Sequence, residues 1–422
     1  MNSLMNDTSI DFAKTKDNND PLSHFRKSFS FPKKEDSDEQ VLYFAGHSLG
    51  LMPKNAQEYI NDECYAWAKY GVEGHFKSSH PWLSYHELLT DSMANLVGGK
   101  SSEVVVMNTL TVNLHLMMVS FYRPTKERYK ILIEPNTFPS DQYAVDSQAK
   151  FHGFNPKDAI VELAPREGEE TLRPQDILDK IDELGDELAL VMLGNVNYLT
   201  GQCFDFKSIT KKAHERGALA GFNLAHGAGN LLLNLHDWNV DFAVWCSYKY
   251  LNSGPGGLAG CFVHENHHGD NKIPRFEGWW GHDKERRFLM EREFKAIGNA
   301  ESWQLSNPPI FQLASLRASM ELFEKATMKA LRKKGDELTS YFQFLLKENC
   351  GEKCHVVTPE KERGSMLCLR VPNGSKNLLN TLTKKGVIFD FREPDIFRVT
   401  PVPLYNNFED VYRLVQIFKD HL

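Results

Sequence analysis

The stretch DFAVWCSYK (241–249), followed at once by the glycine-dense NSGPGG (252–257), decides the fold. A short apolar run that ends in a bend predicts a buried strand whose carboxyl end meets a loop. Lys249 stands at that end, so we expect its amine to enter a pocket rather than water. Desolvation makes an amine less basic and able to attack a carbonyl group, so Lys249 is a candidate to form a Schiff base. The alternative is a surface lysine whose stem lies along apolar residues.

Further short apolar runs flank this stretch and alternate with helix-length segments. The predicted strands of this part are Val104–Met107, Tyr129–Ile133, Ile160–Leu163, Leu188–Leu193, Ala218–Phe222, Phe242–Cys246 and Leu258–Val263. Helical patterns cover Asp141–Phe151, Pro174–Leu184 and Phe206–Arg216. Strands joined by helix-length crossovers predict the α/β class, with a mainly parallel central sheet covered on both faces. Ligands of such sheets bind at the carboxyl ends of the strands.

The chain divides into four parts by composition. Residues 1–20 are rich in Asn, Asp, Ser and Thr and predict a mobile tail, and an N-terminal segment follows over 21–60. We expect a large domain over 61–307 and a smaller α+β domain over 308–422, since the pattern changes after Asn307-Pro308-Pro309. The elements predicted for the smaller domain are helices over Ile310–Ala330 and Asp336–Glu348 and strands within Met366–Val371, Gly386–Phe391 and Ile396–Val399.

Bulk composition excludes several classes of protein. Hydrophobic residues make up 41% of the 422 and charged residues 25%, as in ordinary soluble enzymes. A formal net charge of −7 argues against nucleic acid as the main partner. The chain shows neither a signal-peptide pattern nor an apolar run of about 20 residues. Seven thinly spread cysteines favour a reducing compartment and show no paired metal motif. We expect a cytoplasmic protein without membrane, nucleic-acid or metal binding.

Several strand ends carry polar residues that suit an anionic aromatic ligand. Thr111 lies at a predicted helix start, where free N–H groups bind phosphate; an ordinary threonine cap is the alternative. Phe138 and Asp141 follow one strand, and an aromatic ring beside a carboxylate suits a flat heteroaromatic cofactor. His226 follows another strand end and is either part of the same pocket or a core histidine. Arg398 lies in an apolar strand, so its planar fork requires a carboxylate from a ligand or from the protein.

Taken together, these segments resemble the kynureninases, pyridoxal phosphate enzymes of the aminotransferase-like fold type I. The resemblance runs from about Tyr43 to Tyr405. It rests on ordered motifs: YFAGHSLGL (43–51), NTLTVNLH (108–115), FPSDQYA (138–144), LAHGAGN (224–230), WCSYKYLN (245–252), GWWGH (278–282), SNPPI (306–310) and FRVTPVPLYN (397–406). Eight motifs in one order are far more specific than any single one.

The resemblance implies a role for each matching residue. Lys249 would bind the cofactor covalently and Tyr248 would donate a proton during bond cleavage. The implied cofactor contacts are Leu110, Thr111, Phe138, Pro139, Ser140, Asp141, Gly194, Asn223, His226, Tyr248, Lys249, Trp279 and Asn307. The implied substrate contacts are Ser48, His75, Asn307 and Arg398, with Arg398 on the α-carboxylate and His75 and Asn307 near the aromatic ring. Trp279 and Asn307 would come from the second subunit of a homodimer.

The implied reaction is hydrolysis of the Cβ–Cγ bond of L-kynurenine or 3-hydroxy-L-kynurenine. Two residues depart from the family pattern. Asn223 stands where the family has aspartate, and asparagine cannot supply the negative charge that stabilises a protonated pyridine ring. Loss of a few kcal/mol at the transition state would slow turnover by roughly two decades. Gly194 stands where animal-like sequences have serine, which removes one possible phosphate donor.

Two other classes of function remain open at this point. A different fold type I enzyme, such as a cysteine desulfurase or a class V aminotransferase, would share the lysine and the phosphate site. A desulfurase requires a mobile catalytic cysteine, and none stands in an obvious exposed glycine-rich loop. The second alternative is a cofactor-binding protein with little activity, which only Asn223 suggests.

Overall fold

The structure is a computed structural model that describes residues 7–35, 37–269, 272–372 and 374–422. The α-helices are α1 (Ile10–Asn18), α2 (Ala56–Tyr70), α3 (Gly74–Lys77), α4 (Thr90–Val97), α5 (Leu110–Phe121), α6 (Pro139–Phe151), α7 (Pro156–Ala159), α8 (Pro174–Leu184), α9 (Phe206–Glu215), α10 (Ile310–Ala326), α11 (Met328–Cys350), α12 (Lys376–Lys384) and α13 (Phe408–His421).

The strands follow the short apolar runs of the sequence. They are β1 (Phe29–Ser30), β2 (Leu42–Tyr43), β3 (Met52–Pro53), β4 (Val104–Met107), β5 (Lys130–Ile133), β6 (Ile160–Glu162), β7 (Leu188–Gly194), β8 (Leu219–Asn223), β9 (Phe242–Cys246), β10 (Ala259–Val263), β11 (His355–Val356), β12 (Leu367–Arg370), β13 (Val387–Ile388), β14 (Asp390–Arg392) and β15 (Ile396–Val399).

A seven-stranded sheet in the order β4-β10-β9-β8-β7-β5-β6 forms the centre of the larger part. The five strands β5, β6, β7, β8 and β9 run parallel to one another, whereas β10 runs antiparallel to both of its neighbours, β9 and β4. Because β10 lies between them, β4 points the same way as the parallel strands. The carboxyl ends of β4, β5, β7, β8 and β9 therefore lie along one edge of the sheet. The prediction of a mainly parallel α/β sheet is confirmed.

The sheet is covered on both faces, and this explains the continuous apolar runs of its strands. Successive side chains of a strand point to opposite faces. Val104 and Val106 accordingly join one core cluster, whereas Val105 and Met107 join the other. Helices α4, α8, α9 and α10 contribute to the first cluster, and α5 and α6 contribute to the second.

A smaller α+β unit follows, built on the antiparallel sheet β11-β12-β15-β14. Its core contains side chains from α11, α13 and the sheet, together with Phe44 and Ala13 from the N-terminal part of the chain. Strand β13 pairs in parallel with β2, so residues of the N-terminal segment are built into this unit. Among the described residues, no helix is long and apolar enough to cross a membrane.

Two predicted boundaries differ from the structure. The mobile tail was expected over residues 1–20, but α1 forms within it, with Ala13 fully buried and the Asp17 carboxylate accepting N–H groups from Phe408 and Glu409. Residues 1–6 lie outside the described residues. Because α1 is mostly polar and Ala13 is its one buried residue, its composition resembles that of a mobile tail.

The second difference concerns the start of the smaller domain near Pro308. Helix α10 packs on α2 and contributes to the larger core, and the smaller core begins at Leu338 within α11. The Asn307-Pro308-Pro309 sequence marks a turn of the chain rather than the change from one core to the other.

Candidate active site

The carboxyl ends of the parallel strands surround a narrow cavity. It is lined by Glu134, Phe138, Asp141, Gly194, Val196, Tyr198, Asn223, Ala225, His226 and Lys249. Six of these were predicted from the sequence: Phe138, Asp141, Gly194, Asn223, His226 and Lys249. Strand ends that lie far apart in the chain thus supply one pocket, as the sheet topology requires.

Lys249 follows β9 in a tightly packed bend. Gly50 donates its backbone N–H to the Tyr248 carbonyl at 2.8 Å. A Cβ at position 50 would lie only 2.3 Å from the Lys249 carbonyl oxygen, so glycine is required for this close approach. The GHSLGL motif therefore supports the backbone that carries the lysine.

The Lys249 amine faces the imidazole of His226, with 3.1 Å between Nζ and Nε2. Burial lowers the pKa of Lys249, and the nearby guanidinium of Arg398 lowers it further. Burial also holds the pKa of His226 well below its ordinary range, and the charges of Lys249 and Arg398 act in the same direction. A half-buried amine with reduced basicity next to a neutral imidazole is suited to nucleophilic attack on a carbonyl.

Asp141 and Asn223 form a hydrogen-bonded pair at the base of the cavity. Asn223 Nδ2 donates to Asp141 Oδ2 at 2.6 Å, and Asn223 Oδ1 accepts the Ala225 N–H at 2.8 Å. Asp141 Oδ1 is buried and has no hydrogen-bond partner among the described residues. Burial raises the pKa of Asp141 to about 6. The departure from aspartate at position 223 thus leaves Asp141 as the carboxylate of this pair.

Glu134 is a second buried acid in the cavity, and the sequence analysis did not single it out. It follows β5 directly, and its Oε2 accepts the Gly194 N–H at 2.8 Å. Burial raises its pKa to about 7, and the charge of Asp141 contributes in the same direction. A Cβ at position 194 would lie 2.7 Å from Glu134 Oε1, so Gly194 gives this carboxyl group its space.

Two helix N-termini meet beside the cavity. Leu110 begins α5, Pro139 begins α6, and the hydroxyls of Thr111 and Ser140 lie 2.8 Å apart. Thr111 does not cap α5, since the N-cap residue is Thr109 and its side chain makes no capping bond. Free N–H groups and the positive ends of two helices favour an anion between them. This arrangement suits a phosphate group.

Two aromatic rings border the same space. Phe138 is 43% exposed and its ring meets that of Tyr198 edge-on at 5.3 Å between centroids. The Lys249 amine lies 5.9 Å from the Phe138 ring centroid. An exposed ring next to the amine leaves a face on which a flat ligand can stack.

Arg398 is almost fully buried on β15 and is held by the protein itself. Its Nε donates to Asp390 Oδ1 at 2.7 Å, Nη2 donates to Asp390 Oδ2, and Nη1 donates to the Tyr198 carbonyl at 3.1 Å. The pairing with Arg398 and His47 holds the pKa of Asp390 far below its usual range. The carboxylate partner that the sequence required is therefore present within the chain.

His47 connects this ion pair to the rest of the site. It is fully buried, its Nε2 lies 3.2 Å from Asp390 Oδ1, and its Nδ1 lies 2.8 Å from Thr400 Oγ1. Its ring stacks on that of His226 with 6.4 Å between centroids. Burial lowers the pKa of His47 to about 4, so this imidazole is neutral near pH 7.

The residues that line the Lys249 cavity do not include the predicted site residues Trp279, Asn307, Ser48 and His75. Trp279 lines a separate cavity of about 450 Å³ with Arg287 and is 44% exposed. Asn307 and Ser48 are exposed, and His75 packs edge-on against Trp82. Tyr248 lies next to the lysine in the chain, is half-buried, and has its pKa raised by burial.

The sequence analysis missed Glu134, Tyr198, His47 and Asp390. Glu134 had a usable signal, because it stands at the carboxyl end of a strand. His47 lies inside the quoted motif 43–51, but nothing in that motif marks it as buried. Asp390 lies directly opposite Arg398 in the β14–β15 hairpin, so the register of that hairpin was a usable signal. Tyr198 meets Arg398 only through the tertiary fold, so no local pattern identifies it.

Comparison with solved structures defines the class of protein. The chain matches a cysteine desulfurase from Thermococcus onnurineus with a TM-score of 0.74, 18% identity, and coverage of 90% of this chain and 94% of that one. It matches a cysteine desulfurase from Escherichia coli with a TM-score of 0.75, 16% identity, and coverage of 95% and 98%. The chain therefore has the fold type I architecture of pyridoxal phosphate-dependent enzymes, as predicted.

Comparison of sequences gives the family. Residues 331–418 match the kynureninase C-terminal domain. The chain is 59% identical to a kynureninase of Myxococcus xanthus, over 97% of this chain and 96% of that protein. It is 46% identical to a kynureninase of Mus musculus, over 95% and 90% of the two chains. The chain belongs to the kynureninase family, and the resemblance stated from its motifs is confirmed.

Proposed function

We propose that this protein is a kynureninase. It hydrolyses the Cβ–Cγ bond of L-kynurenine or 3-hydroxy-L-kynurenine and releases anthranilate or 3-hydroxyanthranilate together with L-alanine, a step of tryptophan catabolism. The observation that carries the proposal is the Lys249 amine, desolvated and 3.1 Å from the neutral His226 at the carboxyl edge of the sheet, in a chain of this family.

The site fits pyridoxal phosphate. The start of α5 and the Thr111–Ser140 hydroxyl pair would hold the phosphate, Phe138 would stack on the ring, and Lys249 would bind the aldehyde carbon. Gly194 leaves backbone rather than a hydroxyl beside the phosphate. Two buried atoms without protein partners, Asp141 Oδ1 and His226 Nδ1, are left for the polar groups of the ring. When bound, the cofactor supplies the electron sink that stabilises negative charge at the substrate α-carbon.

Recognition of the substrate α-carboxylate is assigned to the smaller domain. Arg398 presents a guanidinium to the α-carboxylate of the amino acid. His75, Ser48 and the partner subunit would enclose the aromatic ring of the substrate. The choice between kynurenine and its 3-hydroxy form would then depend on His75 and on Asn307 supplied by the partner.

Two side chains move protons during the reaction. Lys249 would take the α-proton of the bound substrate, because burial lowers the pKa of its amine and so favours the unprotonated form that acts as a base. Water adds to the γ-carbonyl, and the Cβ–Cγ bond breaks. Tyr248 then protonates the departing alanine fragment, because its raised pKa keeps the hydroxyl protonated and able to donate.

The active site is proposed to be completed by a second copy of the chain. Trp279 and Asn307 lie outside the Lys249 cavity of their own chain. Trp279 stands among other exposed apolar side chains: Phe288 is 52% exposed and Met290 is 78% exposed. Exposed apolar surface of this kind is typical of a subunit interface. A homodimer with shared sites, in the cytoplasm, is therefore part of the proposal.

Complementation between inactive variants tests the shared site. Lys249→Ala and Asn307→Ala are each expected to be inactive, and mixing them after mild denaturation should restore about a quarter of wild-type activity, as random pairing of subunits gives. Half of the dimers would be mixed, and each mixed dimer would contain one intact site. No recovery, with dimers verified by light scattering, would contradict sites shared between subunits.

A cysteine desulfurase is the alternative reading of the same fold. It requires a mobile cysteine, but only Cys64 is exposed among the seven and it lies within helix α2. The other alternative, a weakly active cofactor-binding protein, is favoured only by Asn223 at the ring-nitrogen position. No observation supports either alternative as strongly as membership of the kynureninase family supports the proposed activity.

The first experiment measures fluorescent product release by the pyridoxal phosphate-loaded protein. Both kynurenines are offered, and Asn223→Asp is assayed in parallel. Product from the unaltered chain supports the proposal, and a rise of about a hundredfold in Asn223→Asp would measure the value of a charged ring partner. Product from Asn223→Asp alone would mean that the unaltered chain is an inactive homologue. No product from either protein would refute the proposed activity.

A further inference from the structure

Asp390 occupies one defined edge of the Arg398 guanidinium. A guanidinium carries five N–H donors in a planar fork. Asp390 takes two of them, one from Nε and one from Nη2, and the Tyr198 carbonyl takes one from Nη1. Two donors have no partner among the described residues, one on each Nη atom. Because Asp390 takes the side-on hydrogens of Nε and Nη2, the free Nη2 donor lies on the end-on edge, where the spacing of the two Nη atoms matches the two oxygens of a carboxylate.

Asp390 is itself fixed from several sides. His47 Nε2 lies 3.2 Å from its Oδ1, and Arg392 Nη2 donates to its Oδ2 at 3.2 Å. His47 is fully buried and held at Nδ1 by the Thr400 hydroxyl. The carboxylate therefore has contacts on both oxygens besides those to Arg398, and its plane cannot turn without breaking them.

We propose that Asp390 is a positioning residue for substrate binding: it holds the side-on edge of Arg398 and so leaves the end-on edge for the α-carboxylate of the substrate. This inference rests on the proposed function, since it assumes that Arg398 receives that carboxylate. Without Asp390, the nearly buried guanidinium would lose its principal counter-ion and would turn toward other acceptors. The end-on edge would then no longer face the substrate.

The test compares Asp390→Asn with Asp395→Asn. Asp395 lies in the same hairpin and pairs with Arg370 at 3.1 Å, so its replacement removes a more exposed ion pair away from the site. We expect Asp390→Asn to raise KM for L-kynurenine at least about tenfold while kcat changes less than about threefold. Asp395→Asn should leave both constants unchanged. Asp390→Glu keeps the negative charge but displaces the carboxylate oxygens, so it should also raise KM for L-kynurenine.

A binding measurement separates this inference from the proposed activity and from misfolding. The change in cofactor absorbance reports binding of L-kynurenine, of L-alanine and of the amine formed by removing the kynurenine carboxylate. Asp390→Asn should weaken the two carboxylates and leave the decarboxylated amine unchanged, whereas a folding defect would weaken all three. The proposed activity fails separately, if wild type binds these ligands without releasing product.

Several results would overturn the inference. Equal affinity of wild type for L-kynurenine and the decarboxylated amine would mean that Arg398 does not bind a carboxylate. Unchanged or tighter carboxylate binding in a folded Asp390→Asn or Asp390→Glu protein would mean that Asp390 does not select the edge of Arg398. Loss of cofactor binding in both Asp390 variants would assign Asp390 to the fold alone.

Discussion

The two halves of the candidate active site differ in whether their buried polar groups have hydrogen-bond partners. In the larger domain, His226 Nδ1 and Asp141 Oδ1 are buried without partners among the described residues, and the Lys249 amine meets only a neutral imidazole. In the smaller domain, Arg398 and Asp390 share two hydrogen bonds and are further held by neighbouring groups. Burying a polar group without a hydrogen-bond partner costs folding free energy, whereas polar groups that pair with one another avoid most of this cost.

This difference indicates which half depends on its ligand. The larger-domain half is incomplete until a cofactor supplies the missing partners, so its residues serve function at the expense of stability. The smaller-domain half is complete in the free protein, so its residues serve both. Substitution of Lys249 should therefore affect activity with little effect on folding, whereas substitution of Arg398 should affect folding as well.

The largest expected effect is on activity and comes from Lys249→Ala. Loss of the nucleophile should reduce product release by about four decades or more. The free energy of unfolding of the cofactor-free protein should change by less than about 1 kcal/mol, because the amine has no ionic partner among the described residues. Activity assays and urea denaturation measure the two quantities. A large loss of stability would contradict the contrast between the halves.

Arg398→Leu should show the opposite pattern in the smaller domain. Removing one partner of a buried ion pair leaves Asp390 with too little compensation, at a cost of about 3 kcal/mol in unfolding free energy. Urea denaturation of the cofactor-free protein measures it. Arg166→Leu breaks an exposed ion pair with Asp176 and is the control, expected to cost less than about 1 kcal/mol. Equal effects of the two substitutions would remove the distinction.

Glu134→Gln should change how stability depends on pH. Burial raises the pKa of Glu134 to about 7 in the folded chain, against 4.5 for a glutamate in water. The folded state therefore keeps a proton that the unfolded state loses, so this stabilisation is complete below pH 4.5 and is lost as pH rises to about 7. The loss amounts to about 3 kcal/mol.

Urea denaturation at a series of pH values checks this expectation. The difference in unfolding free energy between Glu134→Gln and the wild type should grow in favour of the variant across that window. Glu348→Gln changes an exposed glutamate in helix α11 that does not contribute to the raised pKa of Glu134, and it is the control. Parallel pH profiles for wild type and Glu134→Gln would show that the buried acid carries no such proton.

Gly194→Ser should have the smallest effect. A Cβ at this position meets Glu134 Oε1 at 2.7 Å, so the carboxyl group must shift to admit the side chain. We expect a loss of about 1 kcal/mol, measured by thermal denaturation. Gly194→Ala isolates the steric part of the change. No loss in either variant would mean that Glu134 moves freely and is not fixed by its backbone contact.

The central sheet was predictable because its strands are buried on both faces. Each predicted strand of the larger domain agrees with the structure to within one residue at either end, and Phe242–Cys246 agrees fully. Continuous apolar runs are the pattern expected of strands buried on both faces of a sheet. The reversed direction of β10 was not predictable, since burial does not depend on strand direction.

The residues proposed to hold the cofactor were largely predictable from the sequence. The protein partners of Arg398, which is proposed to bind the substrate, were not. Lys249, His226 and Asp141 each follow a strand or start a helix, so sheet topology alone brings them together. Asp390 lies opposite Arg398 in the β14–β15 hairpin, and Tyr198 reaches Arg398 from the loop after β7. The first pairing depends on the register of the hairpin and the second on how the smaller unit packs against the larger one.

The docking of α1 on α13 has a consequence for synthesis of the chain. The Asp17 carboxylate accepts the N–H of Phe408, which lies 391 residues further along the chain. At roughly 5–20 residues per second, the ribosome takes about 20–80 s to cover that distance. During this time the first helix emerges without its partner, and the sheet that carries Arg398 cannot complete its core. The substrate half of the site is therefore the last part of the nascent protein to mature.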